Sequence, residues 1–252
     1  MTTRDTPWPD GTPSWIDLSS PDPGAARRFY QNLFGWTTEQ SSAGYVHCYL
    51  DGRRICGIAA RMRPDPPTGW ITYFATSDAS AVLDRVRRAG GQVHVEPVRI
   101  AGDCTWAIAG DPAGAIFGLW QADSHTGAER VNEPGTLVWN EHLSLDYRAA
   151  QRFYGPTLDW RFHDISEGEF RYATFLAADG REVGGLGEPP QQVPSLAGRW
   201  LVDFATTDTD AVLDRAVRLG GEVVLPALDT PHGRLAVLRD EQQAVFALLS
   251  AA

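Results

Sequence analysis

The stretch GTPSWIDLSSPDPGAARRFYQNLFGW occupies residues 11–36, and GTLVWNEHLSLDYRAAQRFYGPTLDW occupies residues 135–160. The two match at a constant offset of 124, with 11 identities in 26 positions. A second pair, residues 70–91 and 200–221, matches at an offset of 130 with 13 identities in 22 positions. The offset grows through loop insertions, one of them in the proline-rich stretch at residues 64–67. Self-similarity of this kind marks a repeat, so the chain of 252 residues consists of two homologous halves.

The order of elements within each half follows from hydrophobic spacing. Residues 13–20 are predicted to form a strand, and Asp22 is the N-cap candidate of a helix with an apolar stripe. Residues 45–60 alternate as two strands around a turn at Asp51-Gly52, with no second helical pattern. We predict the order β-α-β-β-β for this module, with one strand after the helix that these patterns do not locate.

The same order repeats from Trp70, where Asp78 is the next N-cap candidate and Gly90-Gly91 ends the helix. The chain is therefore predicted to be an α+β protein of four βαβββ modules. A ferredoxin-like barrel is the alternative fold, but it needs a second helix in each unit. The predicted boundaries are a tail at 1–12, a first domain at 13–122 (modules 13–63 and 70–122), a flexible polar linker at 123–136, and a second domain at 137–252 (modules 137–187 and 200–250).

Composition excludes several classes of function. The net charge of −10 argues against nucleic-acid binding, which requires a basic surface. All 22 basic residues are arginine, and without lysine there is no Schiff-base chemistry, pyridoxal anchor or Walker-type phosphate loop. No apolar run is long enough for a signal peptide or a membrane span, and the three cysteines lack CxxC spacing, so we expect a cytoplasmic location without a membrane partner.

Three segments resemble a known family. They are WIDLSSPDPGAARRFYQNLFGW (residues 15–36), WITYFATSDASAVLDRVRRAGG (residues 70–91) and DPAGAIFGLWQ (residues 111–121). They are similar to the tandem proteins of the glyoxalase/bleomycin resistance/dioxygenase superfamily, also called the vicinal oxygen chelate superfamily, over nearly all of residues 11–250. The resemblance implies two domains with cup-shaped mixed sheets. It specifies function weakly, because the superfamily includes enzymes of several chemistries and drug-sequestering proteins.

The resemblance also implies where a metal would bind. In the metal-dependent families, each module supplies one ligand from its first strand and one from its last, typically His, Gln or Glu. The matching positions here hold Trp15, Gly57, Ile71 and Gly118 in the first half and Trp139, Gly185, Leu201 and Ala247 in the second. None of these side chains binds a metal ion. We therefore expect no metal and no other cofactor.

The six histidines form no replacement set. They are scattered, lack HxH and HExxH spacing and do not match between the halves, which favours structural or surface roles. His142 is the exception of interest because it follows Glu141 directly. Neighbours in a strand point to opposite faces, however, so the two side chains do not serve one small site unless a bulge intervenes.

Two matched carboxylates are the candidate catalytic groups. If Trp15 and Trp139 face the concave side of each sheet, then Asp17 and Glu141 face it too, while Asn140 and His142 face the helix layer, a polar pair for that place. Each carboxylate either bonds an arginine or a backbone N–H and holds the sheet, or is desolvated beside tryptophan and moves protons. The remaining ligand-binding candidates are Tyr45, His47, Gly57, Tyr73, Gly118, Trp120, Gly185 and Asp203.

Three functions remain open. The leading hypothesis is a metal-independent protein that binds a hydrophobic or aromatic small molecule, with glycines leaving room and aromatic walls supplying stacking area. The second is a metal-free acid-base enzyme, an isomerase, lyase or cyclase using Asp17 or Glu141. The third is a glyoxalase- or dioxygenase-like metalloenzyme with relocated ligands such as Glu141, Asp203 or His47. In each case the expected partner is a small molecule, and the chain is expected to be a monomer or a homodimer.

Overall fold

A computed structural model describes residues 2–61 and 68–250. The described residues exclude residue 1, residues 251–252, the end of the first predicted module at 62–63 and the proline-rich stretch at 64–67.

The βαβββ order predicted for each module is confirmed, and with it the α+β fold of four such modules. The elements of the first half are β1 (Thr2–Thr3), β2 (Pro13–Ser20), α1 (Pro23–Phe34), β3 (Thr37–Gln40), β4 (Val46–Leu50), β5 (Arg53–Ala60), β6 (Gly69–Ala75), α2 (Ala79–Arg88), β7 (Gln92–Ile100), β8 (Cys104–Gly110) and β9 (Ile116–Ala122). Those that follow are β10 (Arg130–Val131), β11 (Leu137–Leu143), α3 (Tyr147–Leu158), β12 (Arg161–Asp164), β13 (Tyr172–Leu176), β14 (Glu182–Gly187), β15 (Arg199–Ala205), α4 (Thr209–Arg218), β16 (Glu222–Thr230), β17 (Gly233–Arg239) and β18 (Val245–Ser250).

Aspartate begins each of these four helices. Asp22 accepts a hydrogen bond from the backbone N–H of Ala25, and Asp78 accepts one from Ala81, as expected of N-caps. Asp146 and Asp208 do the same for α3 and α4. Among the described residues, no helix is both long enough and apolar enough to cross a membrane.

Each half folds into one sheet of eight strands. The first sheet has the order β3-β4-β5-β2-β6-β9-β8-β7, and the second repeats it as β12-β13-β14-β11-β15-β18-β17-β16. At the centre of the first sheet, β2 runs antiparallel to β6, and β5 and β9 flank this pair in parallel. The first module therefore pairs with the second, and the third with the fourth.

The two sheets pack through their helical sides, with two matched hydrogen-bond sets across the boundary. Tyr30 of α1 donates to Asp240 Oδ2 in the other half at 3.0 Å and accepts from Trp70 Nε1 at 3.0 Å. In the opposite direction, Tyr154 of α3 donates to Asp111 Oδ2 at 3.1 Å and accepts from Trp200 Nε1 at 3.0 Å. Both tyrosines are fully buried, so these polar groups bond to each other in place of water.

Asn140 and His142 do face this helical layer, and each has a polar partner in the first half. Thr72 Oγ1 donates to Asn140 Oδ1 at 2.6 Å, and His142 Nε2 lies 3.0 Å from Asp111 Oδ2. In the first half the equivalent positions hold Ile16 and Leu18, both fully buried. These polar side chains thus lie against polar groups of the other half, although neither ring nitrogen of His142 makes a well-aligned hydrogen bond with a described residue.

His142 makes the two aspartates electrostatically different. Burial by itself raises the pKa of Asp111, but its close contact with His142 and a backbone hydrogen bond from Ala115 lower that pKa below the usual value. Burial likewise raises the pKa of Asp240, and backbone N–H groups, including that of Ala244, offset it only in part, so the pKa stays raised. The surroundings of Asp111 therefore favour ionisation of its carboxyl group, whereas those of Asp240 oppose it.

The segment 123–136, predicted to be a flexible linker, is packed against the first sheet. Its backbone donates hydrogen bonds from Ala128 to Ser14 and from Glu129 to Arg54, and β10 pairs with β1. His125 and Ala128 are each 1% exposed. The interpretation as a flexible linker considered only the polar composition of this segment and missed these buried side chains.

We expect Asp111→Asn and Asp240→Asn to differ in sign at neutral pH. Asp111→Asn should lower the free energy of unfolding by on the order of 2 kcal/mol, because a buried charged acceptor is lost beside His142. A lowered carboxyl pKa contributes stability above the pKa of the unfolded chain and loses it as the pH falls through the folded value, so this deficit should shrink below about pH 4. Asp240→Asn should be neutral or stabilising at pH 7. Urea unfolding at pH 7 and pH 3.5 tests both, and equal losses at pH 7 would contradict the assignment.

Candidate functional site

The candidate residues lie on the faces of the sheets that are turned away from the helices. We call this face of the first sheet cup 1 and that of the second sheet cup 2. In cup 1, Trp15 pairs across the strands with Tyr73, which pairs with Gly118. Asp17 pairs with Gly57, which pairs with His47. The sequence-predicted residues of the first half thus converge on one surface.

Cup 2 repeats this arrangement with different chemistry. Trp139 pairs with Asp203, which pairs with Ala247, and Glu141 pairs with Gly185. Asp203 stands where cup 1 has Tyr73. Cup 2 therefore holds two candidate carboxyl groups, whereas cup 1 holds one.

A tryptophan, a tyrosine and a carboxylate are hydrogen-bonded together in each cup. Trp15 Nε1 donates to Asp17 Oδ1 at 2.8 Å and to Tyr45 Oη at 3.0 Å, and the Tyr45 hydroxyl donates to Asp17. In these triads the partners of the carboxylates are aromatic side chains, in place of the arginine or backbone N–H considered from the sequence.

The triads differ in one hydrogen bond. Trp15 donates directly to its carboxylate, whereas Trp139 donates to the tyrosine of its triad. Trp139 Nε1 donates to Tyr172 Oη at 3.0 Å, and the Tyr172 hydroxyl donates to Glu141 Oε2 at 3.0 Å. Sequence reasoning missed Tyr172. It is found by strand register. Tyr172 lies two residues before the partner of Gly185 in the sheet, and Tyr45 lies two residues before the partner of Gly57.

The glycines at the predicted ligand positions leave no empty room. A Cβ on Gly57 would overlap the Tyr45 hydroxyl and Asp17, and a Cβ on Gly185 would overlap the Tyr172 hydroxyl. A Cβ on Gly118 would overlap the ring of Tyr73. The expectation that these glycines open space for a ligand is therefore wrong: they let tyrosine rings lie close against the sheet.

Cup 1 is filled by its own side chains. His125 lies edge-on to Trp15, with ring centroids 4.6 Å apart, and the centroid of its ring is 4.7 Å from that of Trp120. Trp120 Nε1 also donates to the carbonyl of His125 at 3.0 Å. Trp15 is fully buried, and burial, aided by the charge of Arg54, lowers the pKa of His125 to about 3. The neutral imidazole of His125 thus covers Trp15 and packs against Trp120.

Cup 2 is more accessible at the positions of the tryptophan and the carboxylate of the triad. Trp139, Glu141 and Tyr172 are each half-buried, whereas Trp15 is completely covered. Phe170 is 55% exposed and stacks on Tyr172, with ring centroids 5.6 Å apart and an interplanar angle of 9°. Sequence reasoning also missed Phe170, because an isolated aromatic residue in a polar hairpin carries no pattern.

Burial raises the pKa of the carboxyl groups in both cups. Burial raises the pKa of Asp17 to about 6, although hydrogen bonds from Tyr45 and Trp15 oppose the shift. Burial also raises the pKa of Glu141, and the hydrogen bond from Tyr172 opposes it. Burial and the negative charge of Glu141 raise the pKa of Asp203 well above its usual value.

The residues present do not fit the metal centre that the fold implies. The eight positions carry tryptophan, aliphatic side chains or glycine. A tyrosine side chain lies against each of the three glycines among them. Within residues 2–61 and 68–250, no cluster of three or more His, Cys, Asp or Glu side chains is arranged to hold a metal ion. The relocated ligands considered from the sequence are also separated, since His47 lies in cup 1 and Glu141 and Asp203 lie in cup 2.

Two cavities lie near the edge of the first sheet. One of about 310 Å³ is bordered by Trp8, Ser14, Thr76 and Trp120, and one of about 250 Å³ by Arg99, Cys104 and Gln121. None of the cup carboxylates lines either cavity.

Two family models match the chain. The model of the glyoxalase/bleomycin resistance protein/dioxygenase superfamily matches residues 12–119, and that of a glyoxalase-like domain matches residues 141–249. A putative glyoxylase, CFP32, of Mycobacterium tuberculosis is 38% identical, covering 96% of this chain and 95% of the relative. The anthracycline biosynthesis protein DnrV of Streptomyces peucetius is 34% identical, covering 95% of this chain and 93% of the relative.

Solved structures share the fold at much lower identity. The Mn(II)-bound glyoxalase from Novosphingobium aromaticivorans superimposes with a TM-score of 0.66 at 15% identity, covering 96% of this chain and 82% of that one. The 2,2',3-trihydroxybiphenyl 1,2-dioxygenase of Sphingomonas wittichii gives 0.63 at 13% identity, covering 97% and 91%. These similarities concern the fold alone.

Gly57→Ala should destabilise the protein by about 1–3 kcal/mol, because the added methyl group displaces Tyr45 and Asp17 from the sheet. Gly69→Ala is the matched control, since a Cβ there meets open space in β6. It should be neutral or slightly stabilising, because alanine has less conformational freedom to lose on folding. Thermal unfolding compares the two variants, and equal effects would contradict the close packing of Tyr45.

Asp17→Asn should remove part of the pH dependence of stability. A raised carboxyl pKa contributes stability that is present below about pH 4 and lost as the pH rises through about 6. The native chain should therefore lose on the order of 3 kcal/mol relative to the variant between pH 4 and pH 8. Urea unfolding across this range measures the difference. Asp84→Asn, on the exposed side of α2, is the control, and parallel curves for native and Asp17→Asn chains would disprove the shift.

Proposed function

We propose that this chain, which belongs to the glyoxalase/bleomycin resistance protein/dioxygenase superfamily, binds a flat aromatic small molecule in cup 2 and does so without a metal ion. Cup 1 then serves as a packed structural half. The proposal extends the leading hypothesis drawn from the sequence, but it assigns the ligand to one cup.

The observation that carries the proposal is the half-exposed aromatic surface of cup 2. Trp139, Tyr172 and Phe170 form it, and the stacked pair of Phe170 and Tyr172 leads from solvent towards Glu141. Aromatic side chains supply large contact area with specific stacking geometry at modest entropic cost. In cup 1, the equivalent surface is already covered by His125.

The inner wall of cup 2 is apolar. Leu201, Leu225, Val237 and Ala247 form a buried cluster on this side of the second sheet. An apolar wall with a few polar groups is the usual composition of a small-molecule site. A flat hydrophobic molecule suits it better than a charged metabolite, given the two carboxyl groups nearby.

The name of one relative points in the same direction. DnrV is named as an anthracycline biosynthesis protein, and anthracyclines contain a flat polycyclic aromatic system. We extend this only to the class of ligand, a planar polycyclic compound.

Metal independence rests on the donor set. The positions that supply ligands in metal-dependent relatives carry groups that do not bind metal, and the oxygen atoms nearest the glycines belong to tyrosines bonded to Asp17 and Glu141. The chemistry left to cup 2 is stacking, hydrogen bonding and proton transfer.

A metal-free acid-base reaction is the second candidate function. Glu141 is half-exposed in cup 2, its pKa is raised, and it accepts a hydrogen bond from Tyr172. A carboxyl group of this kind can accept or donate a proton during a reaction. Its place beside the aromatic surface would bring that proton to a bound ring system.

Phe170→Ala and Trp139→Phe should each weaken binding of fluorene, a flat three-ring hydrocarbon, by about three- to tenfold, because stacking area is lost. Trp15→Phe is the matched control in cup 1 and should leave the dissociation constant unchanged. Equilibrium dialysis measures binding on protein dialysed against EDTA, with its metal content checked by mass spectrometry.

Two outcomes would overturn the proposal. Fluorene binding that disappears with EDTA and returns with a divalent metal would restore the metal-dependent hypothesis. Dissociation constants unchanged in both cup 2 variants would move the site elsewhere, for example to the 310 Å³ cavity beside Trp120.

A further inference from the structure

We propose that protonated Asp203 is the hydrogen-bond donor of cup 2 and that it selects ligands carrying a neutral acceptor oxygen, such as a ring carbonyl, on their flat aromatic body. This inference rests on the proposed function of cup 2. It adds the polar feature of the ligand to the aromatic one.

Asp203 is placed at the centre of the cup by strand register. It pairs with Trp139 on one side and with Ala247 on the other, the middle of the second sheet. Its side chain is only 3% exposed, among the apolar cluster that includes Leu201 and Val237. A ligand stacked against Trp139 therefore lies next to this carboxyl group.

The carboxyl group has no partner among the described residues. Asp203 Oδ1 is completely buried and makes no hydrogen bond with any of them. The other four cup and boundary carboxylates are bonded: Asp17 to Trp15 and Tyr45, Glu141 to Tyr172, Asp111 to Tyr154, and Asp240 to Tyr30. An unpaired buried polar group destabilises the fold, and a ligand that bonds to it would recover that loss.

The charged groups around Asp203 favour its neutral form. Glu141 faces it from β11, and Tyr172 follows on β13 with its hydroxyl already bonded to Glu141. The basic residues on the same face are distant: Arg199 is four positions away along β15, or about 13 Å, and Arg239 of β17 lies on the Arg199 side of the cup. Within the described part of the chain, no arginine forms an ion pair with Asp203 that would stabilise a negative charge there. Burial and the charge of Glu141 raise its pKa in agreement with this geometry.

A neutral carboxylic acid determines which ligands fit. Its O–H donates a hydrogen bond, so the complementary group is an oxygen acceptor. A carboxylate ligand would meet the charge of Glu141 and is disfavoured. A carbonyl conjugated to the rings is planar, uncharged and able to accept the bond without leaving the stacking plane.

The test compares fluorene with 9-fluorenone, which has the same three rings and one added carbonyl. The native protein should bind 9-fluorenone about three- to tenfold more tightly than fluorene at pH 7. Asp203→Asn, whose amide also donates, should keep this preference. Asp203→Leu should lose it while still binding fluorene, and Asp17→Asn in cup 1 should behave like the native chain. Thermal unfolding confirms that each variant is folded.

A second measurement is independent of any ligand. The infrared difference between the native protein and Asp203→Asn at pH 7 should contain the absorbance of one protonated carboxyl group, whereas the difference between the native protein and Asp17→Asn should contain mainly that of a carboxylate, because the pKa of Asp17 is about 6. Asp203→Leu that retains the preference for 9-fluorenone, or native spectra without this absorbance, would overturn the inference. Equal binding of both probes would refute it while leaving the proposed function intact, whereas binding of neither probe would refute the proposed function and leave the infrared result to decide the state of Asp203.

Discussion

The structure depends on hydrogen bonds that two buried tyrosines make across the boundary between the halves. Tyr30 and Tyr154 each lie on the first helix of one half and donate to an aspartate in the last hairpin of the other. Each also accepts from a tryptophan at the start of a central strand. These bonds fix the helices between the two sheets, so the cups face away from each other and towards solvent. The accessibility of cup 2 follows from this arrangement.

The two cups share one framework but differ in what occupies it. Both contain a tryptophan, a tyrosine lying over a glycine, and a carboxylate that the tyrosine bonds. In cup 1 the segment after β9 adds His125, which closes the space between Trp15 and Trp120. In cup 2 Asp203 replaces Tyr73, and the aromatic surface stays half-exposed. Packing makes the first cup part of the core, whereas the second holds two carboxyl groups whose pKa values burial raises.

Much of the fold could be predicted from the sequence. The repeat, the aspartate N-caps and the alternation of residues 13–20 are local patterns, and local patterns determine elements and their order. The same alternation placed Trp15 and Asp17 on one face, which their hydrogen bond confirms. By contrast, β3 has no apolar alternation, and its residues, Thr37–Gln40, are mostly exposed, so no pattern located it.

The occupancy of the cups could not be predicted in the same way. It depends on contacts between distant residues: Tyr45 over Gly57, His125 against Trp15, and His142 beside Asp111. A glycine at a ligand position is consistent with a vacant site or with a ring packed above it, and the sequence does not distinguish these. The polar character of Asn140 and His142 likewise made sense only once their partners in the other half were known.

The difference between His142 and Leu18 shows what covalent linkage of the halves permits. In a symmetric homodimer, a substitution at this position would appear twice, and both interhalf aspartates would acquire the same partner. In a single tandem chain, the two positions vary independently, so one aspartate faces an imidazole and the other does not. The same freedom allows one cup to be sealed while its copy remains accessible. Fusion of the halves thereby lets a duplicated scaffold carry two cups with different interiors.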